Sequence, residues 1–435
     1  MFSLFTRARR ARLGRLTGPL YVYAVAEEFV LLYAVYALLF ADHGLSVAQI
    51  ASLFMLWSGV GLVVSVPAGA LADVVPRRYL LAAAPVFAGA AFSLWLLFPG
   101  YAVFALGFVL WGAGGALSSG ALEALVHDDL SWRGAAERYA RVMGVTRALG
   151  VAAVGAATLA AVPVMAWGGY AAVGVVSVAV CGVCALAGLA LPENRPPAPG
   201  AGAEASGGAV PAGAHRPHHP SAPGEAGADP EEEPATPAEY VAALRAGVRE
   251  ARRDRRVRGA IVLLVVVTSF WGMLDEYVPL LVSGHGVSAA GVPAVLAVVW
   301  AGVTLGGLSA GVLARLPVRV FAVLLGAAGV AVAAGAVLGG VPGWVLLGAG
   351  FGVCQAASVV ADARLQERIT GRSRATVTSV AGLGTDLVTT AAYPLYAVVF
   401  AVSGHGWAFA VFAVPYLVAA CVVGRGGRRS VAVPG

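Results

Sequence analysis

The chain has 435 residues, 59% hydrophobic and only 12% charged, with a mean hydropathy of +0.81. That is too apolar for an ordinary soluble domain and places the chain in a lipid bilayer. The formal net charge of +6 is carried by Arg alone, since no Lys occurs among the 29 basic residues. These Arg lie at the ends of apolar runs, so the charge is not the footprint of a nucleic-acid partner. The four cysteines lie inside apolar runs, and Cys181 and Cys184, a C-x-x-C without His or acid nearby, read as packing. No nucleotide loop, metal cluster or nucleophile constellation is present, so neither an enzyme nor a cofactor or metal is expected.

Residues 1–18 form a basic arm with Arg7, Arg9, Arg10, Arg12 and Arg15. Ala24-Val25-Ala26 resembles a signal-peptide cleavage site, but the apolar pattern runs on to Phe40, and Gly18-Pro19 is expected to interrupt a signal core. Twelve apolar runs follow, near 19–41, 47–72, 79–98, 101–127, 142–162, 168–190, 259–282, 289–314, 319–340, 343–363, 375–400 and 405–424. Each is long enough to cross about 30 Å of hydrocarbon as a helix, and they are called spans 1 to 12 below.

Spans 1 to 6 give an N-terminal six-helix bundle at 19–190, and spans 7 to 12 a C-terminal one at 259–424, with a tail at 425–435. The connection at 191–258 is rich in Pro, Ala and Gly to about Thr236 and reads as disordered. Glu239 to Arg258 then reads as a basic surface helix. The linker histidines His215, His218 and His219 are assigned no metal.

Every turn on one side carries Arg, and the opposite turns (ADHGLS, FPGY, VPVMAWGG, SGHGVS, GGVPG, SGHGW) carry none. By the positive-inside rule both termini are cytoplasmic in a multi-pass plasma-membrane protein.

The two bundles read as copies. His43-Gly44-Leu45-Ser46 matches His285-Gly286-Val287-Ser288, and counting forward equally brings Gly69-Ala70-Leu71-Ala72 onto Gly311-Val312-Leu313-Ala314 without a gap. Gly107 to Gly114 in span 4 matches Gly343 to Gly350 in span 10. Parallel repeats of this kind place a substrate between the halves near the midplane.

Ionisable residues concentrate in spans 1, 4, 5, 7 and 11 and are absent from the apolar cores of spans 3, 6, 9 and 12. A charge at the bilayer centre costs roughly 2.5 to 3.5 kcal/mol, so each one retained there needs a partner, water or a task. Glu27 and Glu28 in span 1, Asp275 and Glu276 in span 7, and Asp386 in span 11 are therefore candidate proton carriers, with structural hydrogen bonding between helices as the alternative.

Ser379, Gly382, Asp386, Thr389, Tyr393 and Tyr396 share one face of span 11, which is expected to line a cavity or to pack on span 2. Ser118 and Ser119 in span 4, and Gln355 at the matching place in span 10, are further substrate-cavity candidates. Glu123 and Arg147 stand at similar depth in spans 4 and 5 and are expected to pair.

Between spans 2 and 3 lies GALADVVPRRYLL, Gly69 to Leu81. Gly69 and its small neighbours suit close helix contact, and Asp73, Arg77 and Arg78 put charges at a membrane edge. Read blandly, this is a positive-inside anchor. The spacing of Gly69, Leu71, Asp73, Arg77, Arg78 and Leu81 resembles the signature of the major facilitator superfamily, although Val74 and Pro76 stand where a basic residue and Gly are usual. Ser119 to Leu130 (SGALEALVHDDL), with Arg141 and Arg147, and Arg374-Ala375-Thr376-Val377 resemble an efflux-like branch of that superfamily.

The resemblance implies an all-α fold of twelve transmembrane helices in two pseudo-symmetric bundles, with spans 3, 6, 9 and 12 outermost. It also implies cytoplasmic gating, in which Asp73 braces the start of span 11 and Arg77 or Arg78 meets Asp128 or Asp129, latching an outward-open state. Two departures are visible. Phe108, Leu110 and Trp111 occupy span 4 where proton-coupled exporters carry Arg, and Gly150 to Gly155 lacks their Gly-Pro motif.

The expected function is secondary active transport by alternating access, with proton-coupled export of a small amphipathic or cationic compound preferred. Metabolite uptake by a symporter or uniporter is an alternative, and a non-transporting membrane receptor or scaffold is one of another class. The expected partners are the small-molecule substrate, protons and the lipid bilayer, with the protein a monomer.

Overall fold

The computed structural model describes residues 2–194, 255–369 and 374–429. The side chains of 2–13, Val66, Ala70, Asp73, 374–376 and 426–429 lie outside that description, as do Asp73's expected brace and most of the linker. The described residues are helical, with no strand.

Span 1 is α1 (Phe2–Glu28) and α2 (Tyr36–Asp42), span 2 is α3 (Val47–Val74) and span 3 is α4 (Arg77–Leu97). Span 4 is α5 (Tyr101–Ser118) with α6 (Ala121–Trp132), and spans 5 and 6 form α7 (Tyr139–Leu189). Span 7 is α8 (Arg255–Asp275) and α9 (Val278–Gly284), followed by α10 (Val292–Ala314), α11 (Val318–Leu338) and α12 (Gly340–Arg368). Spans 11 and 12 form α13 (Arg374–Arg429).

Ten stretches of the described residues are long and apolar enough to cross a membrane, two of them 54 and 49 residues long. Each of those two folds back at glycines with non-helical backbone, Gly168 and Gly169 in α7 and Gly404 in α13, which restores twelve crossings.

Three features depart from expectation. Helix α1 runs unbroken through Gly18 and Pro19, so the second half of the basic arm continues into span 1. Arg255 to Arg258, expected to end a surface helix, instead form the first turn of α8. Spans 1, 4 and 7 are not single helices. Span 4 breaks at Gly120, whose φ of +73° is the left-handed conformation that glycine alone adopts freely.

The breaks in spans 1 and 7 are repeat mates. Counting the His43 to His285 offset backwards sets α2 on α9, seven residues each. Both short helices end alike, with His43 Nδ1 2.7 Å from the Leu39 carbonyl oxygen and His285 Nδ1 3.0 Å from that of Leu281. Gly44 and Gly286 follow at φ +83°, the left-handed C-terminal turn that favours glycine. Pro279 explains the break in span 7, because it has no N–H to offer the Asp275 carbonyl four residues back. In span 1 the Leu32 N–H freed by the break donates to Ser177 Oγ of span 6 at 3.0 Å. A backbone donor inside a membrane needs such a partner.

Packing differs between the two ends of the molecule. Toward the histidine-bearing turns one continuous apolar core joins both halves, taking in Phe40, Phe54, Trp95 and Phe108 with Tyr277, Val299, Phe351 and Tyr393. Toward the arginine-bearing turns the cores are separate. One, around Leu20, Tyr23 and Leu125, belongs to the N-terminal half, and two, around Phe321 and Ile261, belong to the C-terminal half. The halves therefore meet at the histidine end and part toward the arginine end.

Candidate functional site

The closure at the histidine end is built from aromatic rings and one carboxylate. Among the described side chains, two hydrogen bonds join the halves. The Tyr36 hydroxyl of α2 donates to Glu276 Oε2 in the break of span 7, and Ser58 Oγ lies 2.6 Å from Thr390 Oγ1. Phe54 adds edge-on and tilted ring contacts to Tyr277 and Tyr393, 5.5 and 5.4 Å between centroids. Tyr277 stacks on Tyr396 at 3.8 Å, and the Tyr396 hydroxyl meets His405 Nδ1 at 2.8 Å.

Tyr393, expected to line the cavity, is only 2% exposed. It belongs to this closure, because the halves meet on its face of span 11. Asp386 and Ser379, nearer the arginine end of the same helix, are exposed, and Thr389 is half-buried. The stripe on span 11 thus packs against span 2 at Tyr393 and is more open nearer the arginine end.

The five candidate proton carriers do not form one cluster. Glu27 accepts a long 3.4 Å hydrogen bond from Tyr23, its neighbour one turn earlier. Glu28 faces span 5, where a side chain added at Gly150 would meet the Glu28 Cγ at 3.4 Å. Asp275 and Glu276 sit half-buried at the break, and Asp386 faces the parted side. Among the described residues none of the five joins an ion pair.

The remaining cavity candidates lie on the parted side. Ser118 Oγ donates to the Gly115 carbonyl at 3.1 Å and lines a cleft with Glu27. Ser119 is exposed, and Gln355 is half-buried against Gly307.

At the arginine end a charged clamp holds the N-terminal half. Of the pairings left open, Arg77 takes Asp128, with Nη1 donating to Oδ2 at 2.6 Å. Asp129 instead turns inward, fully buried, and is held by Arg133 one turn on and by Asn194 Nδ2 at 2.6 Å. Arg78 donates to the Tyr79 hydroxyl at 3.1 Å. Gly69 departs from the close packing expected of it, since nothing lies within 4 Å of a side chain placed there. Its surroundings are open because the halves have separated at this end. Glu123 and Arg147 approach only to 3.9 Å, with their side chains 43% and 75% exposed, a loose surface pair.

Sequence reasoning missed three participants. Glu193, just after span 6, accepts the backbone N–H of Arg77 at 2.8 Å and of Arg78 at 3.4 Å. Its carboxylate thereby caps the start of α4, where a negative charge is stabilised by the helix dipole. Asn194 ties the same segment to Asp129. An acid directly after Pro192 on the arginine side was the available signal. Tyr36 was legible from the repeat, because the offset that pairs the histidines sets Glu276 on Ala34, two residues from Tyr36. Residues near the axis relating two repeats lie close to their own mates.

The family model described as Major Facilitator Superfamily matches residues 19–392. No curated protein sequence matches the chain. Among solved structures, the nucleoside transporter NupG is similar at a TM-score of 0.68 and 11% identity, covering 95% of this chain and 98% of that one. A D-xylose-proton symporter is similar at 0.60 and 14%, covering 94% and 96%. A bacterial homolog of the human lysosomal transporter Spinster, in an inward-facing and unoccupied conformation, is similar at 0.64 and 16%, covering 97% of each chain.

Proposed function

The chain belongs to the major facilitator superfamily and is a multi-pass membrane transporter, and we propose that it carries a small amphipathic or cationic compound out of the cell in exchange for protons. The arginine end is taken as cytoplasmic and the membrane as the plasma membrane, on the distribution of Arg. The structure is then the cytoplasm-open state of an alternating-access cycle.

The observation that carries the reading is the hydrogen bond from Tyr36 to Glu276, which ties the two halves together on the outer side through a carboxylate at a helix break. With Glu276 charged, that bond is charge-assisted and strong. A proton that Glu276 takes from outside, once bound substrate has broken the bond and opened that side, leaves a weaker neutral bond on re-closure, and its loss toward the cytoplasm restores the charged one. Substrate enters from the cytoplasm past Asp386, Glu27 and Ser118, and the carboxylates supply the negative field that favours a cation. The pair of Arg77 with Asp128 and the cap from Glu193 keep the N-terminal half rigid while it rocks. Closure at the arginine end falls to the region around Gly69.

A second reading, uptake by proton symport or as a uniporter, draws support from spans 4 and 5. Trp111 and its neighbours replace the expected Arg, and the Gly-Pro motif is absent.

The test is internal pH in proteoliposomes during addition of cationic dyes, antibiotics and small metabolites, with Glu276→Gln and Glu28→Gln alongside. Substrate-driven proton movement lost in Glu276→Gln is the expected result, and its sign separates export from uptake. Substrate flux without proton movement would remove coupling through these acids.

A further inference from the structure

Within the N-terminal half a cleft of about 80 Å³ opens between spans 1, 3, 4 and 6, lined by Tyr23, Glu27, Tyr33, Pro85, Trp111 and Ser118 among others. Its volume is roughly half that of an apolar cavity known to take benzene, so it admits one small group, not a whole drug-sized molecule. Among the described residues Glu27 is the only charged one lining it, and neither Arg nor His contributes to the wall. The carboxylate has about four acceptor positions, and Tyr23 fills one of them, at 3.4 Å. The other walls are apolar, with Ala84, Pro85 and Ala88 of span 3 facing the Trp111 ring. Tyr33 stacks on Trp111 at 5.2 Å and holds that ring in place.

The fold does not require an acid at this position. The repeat mate of Glu27 is Ser269, which is 1% exposed and donates its hydroxyl to the Thr385 carbonyl at 3.1 Å. The mate of Trp111 is Leu347, fully buried. The C-terminal half thus fills the equivalent place with small and aliphatic side chains, while the N-terminal half keeps space, a charge and an aromatic wall.

We propose that this cleft is a substrate subsite that takes the protonated head of a small alkyl- or arylamine, with the ammonium and its first carbon inside against Glu27 and the apolar body extending through the open side of the cleft past Trp111. An ammonium offers the donors that the Glu27 carboxylate lacks, and burial beside the carboxylate excludes anions. The inference rests on the reading of the chain as a carrier of small molecules and names the chemistry of one part of its substrate.

The test uses full-length protein in nanodiscs and saturation-transfer NMR, with benzylammonium, benzyl alcohol and benzoate as probes of one shape and three charges, and empty nanodiscs as background. Benzylammonium is expected to bind at least tenfold more tightly than benzyl alcohol, with benzoate not binding. Glu27→Gln should abolish that preference, and Ser118→Leu, which fills the cleft but keeps the charge, should abolish binding of both probes. Equal binding of the amine and the alcohol, or undiminished amine binding in either variant, overturns the proposal.

Proton movement in liposomes separates the two readings. If a substrate that is not an amine drives protons while benzylammonium does not bind, the carrier stands and the subsite falls. If benzylammonium binds through Glu27 but no substrate moves protons, the subsite stands and proton coupling falls.

Discussion

The two six-helix halves descend through the same sequence pattern but are packed by different means. In the C-terminal half spans 8 and 10 cross on glycines: Gly302 lies against the backbone of Gly348, and Gly306 against that of Gly352. Small residues of this kind let membrane helices approach backbone to backbone. Between spans 2 and 4, their mates in the N-terminal half, one such contact survives among the described residues. Gly112, the mate of Gly348, would place a side chain 3.0 Å from the Trp57 carbonyl oxygen, and the mates of Gly302 and Gly352 are Val60 and Ala116.

A column of rings takes over instead, with Trp111 stacked between Trp57 at 5.1 Å and Tyr33 at 5.2 Å. Spans 8 and 10 are zipped by two glycine pairs, whereas spans 2 and 4 are pinned at one level. The difference explains why the cleft with Glu27 belongs to the N-terminal half. The contrast divides the labour, with the C-terminal half as the stiffer body and carrier of the Glu276 carboxylate at the histidine end.

The largest effect expected on this contrast is functional. Glu276→Gln should bring substrate-driven proton movement in liposomes to background, while Glu123→Gln, in a loose surface pair, should leave it intact. Equal loss in both would make the acids interchangeable and the contrast void.

Next comes the clamp of the N-terminal half. Asp129→Ala removes the buried carboxylate that holds Arg133 and Asn194, and should cost about 3 to 5 kcal/mol, read as a lower melting midpoint in detergent. Gly306→Ala forces a methyl into the Gly352 backbone and should cost about 1 to 3 kcal/mol. Gly115→Ala, on span 4 with nothing within 4 Å, should instead gain about 0.5 to 1 kcal/mol from helix propensity. If both glycine variants melt alike, the zipper in the C-terminal half is not a source of stiffness. Smallest is Glu123→Ala, expected within about 1 kcal/mol of the parent because the pair is exposed.

Much of this architecture was legible in the sequence because membranes impose coarse rules. Twelve apolar runs, Arg on alternate turns and the doubled His-Gly turn gave the spans and their division. The His-Gly pairs are informative for a local reason, since each His caps its own helix and each Gly takes the left-handed turn that follows.

The breaks in spans 1 and 4 leave hydropathy unchanged, and Pro279, which makes the one in span 7, is one of several prolines within spans, of which Pro67 and Pro85 lie in unbroken helices. The repair of these breaks is also distant in sequence: Leu32 finds Ser177, and Tyr36 finds Glu276. The pairing of Arg77 was legible as a choice between two adjacent acids. Only the turn of α6 decides that Asp128 faces span 3 while Asp129 faces inward. Whether Tyr393 lines a cavity or packs on span 2 was left open, because a stripe along a helix does not say where along its length the two halves touch.

The most direct test of the closed histidine end is a distance measured across it. Ala48 and Ala290 are repeat mates near the histidine-bearing turns, one exposed and the other half-buried. Both can be changed to cysteine and spin-labelled, with the exposed Cys421 replaced by Ser. Electron–electron resonance on the parent in nanodiscs should give one short distance, and Tyr36→Phe should add a longer population by removing the bond to Glu276. A long distance in the parent, or a distribution unmoved by Tyr36→Phe, would contradict a histidine end held shut through Glu276.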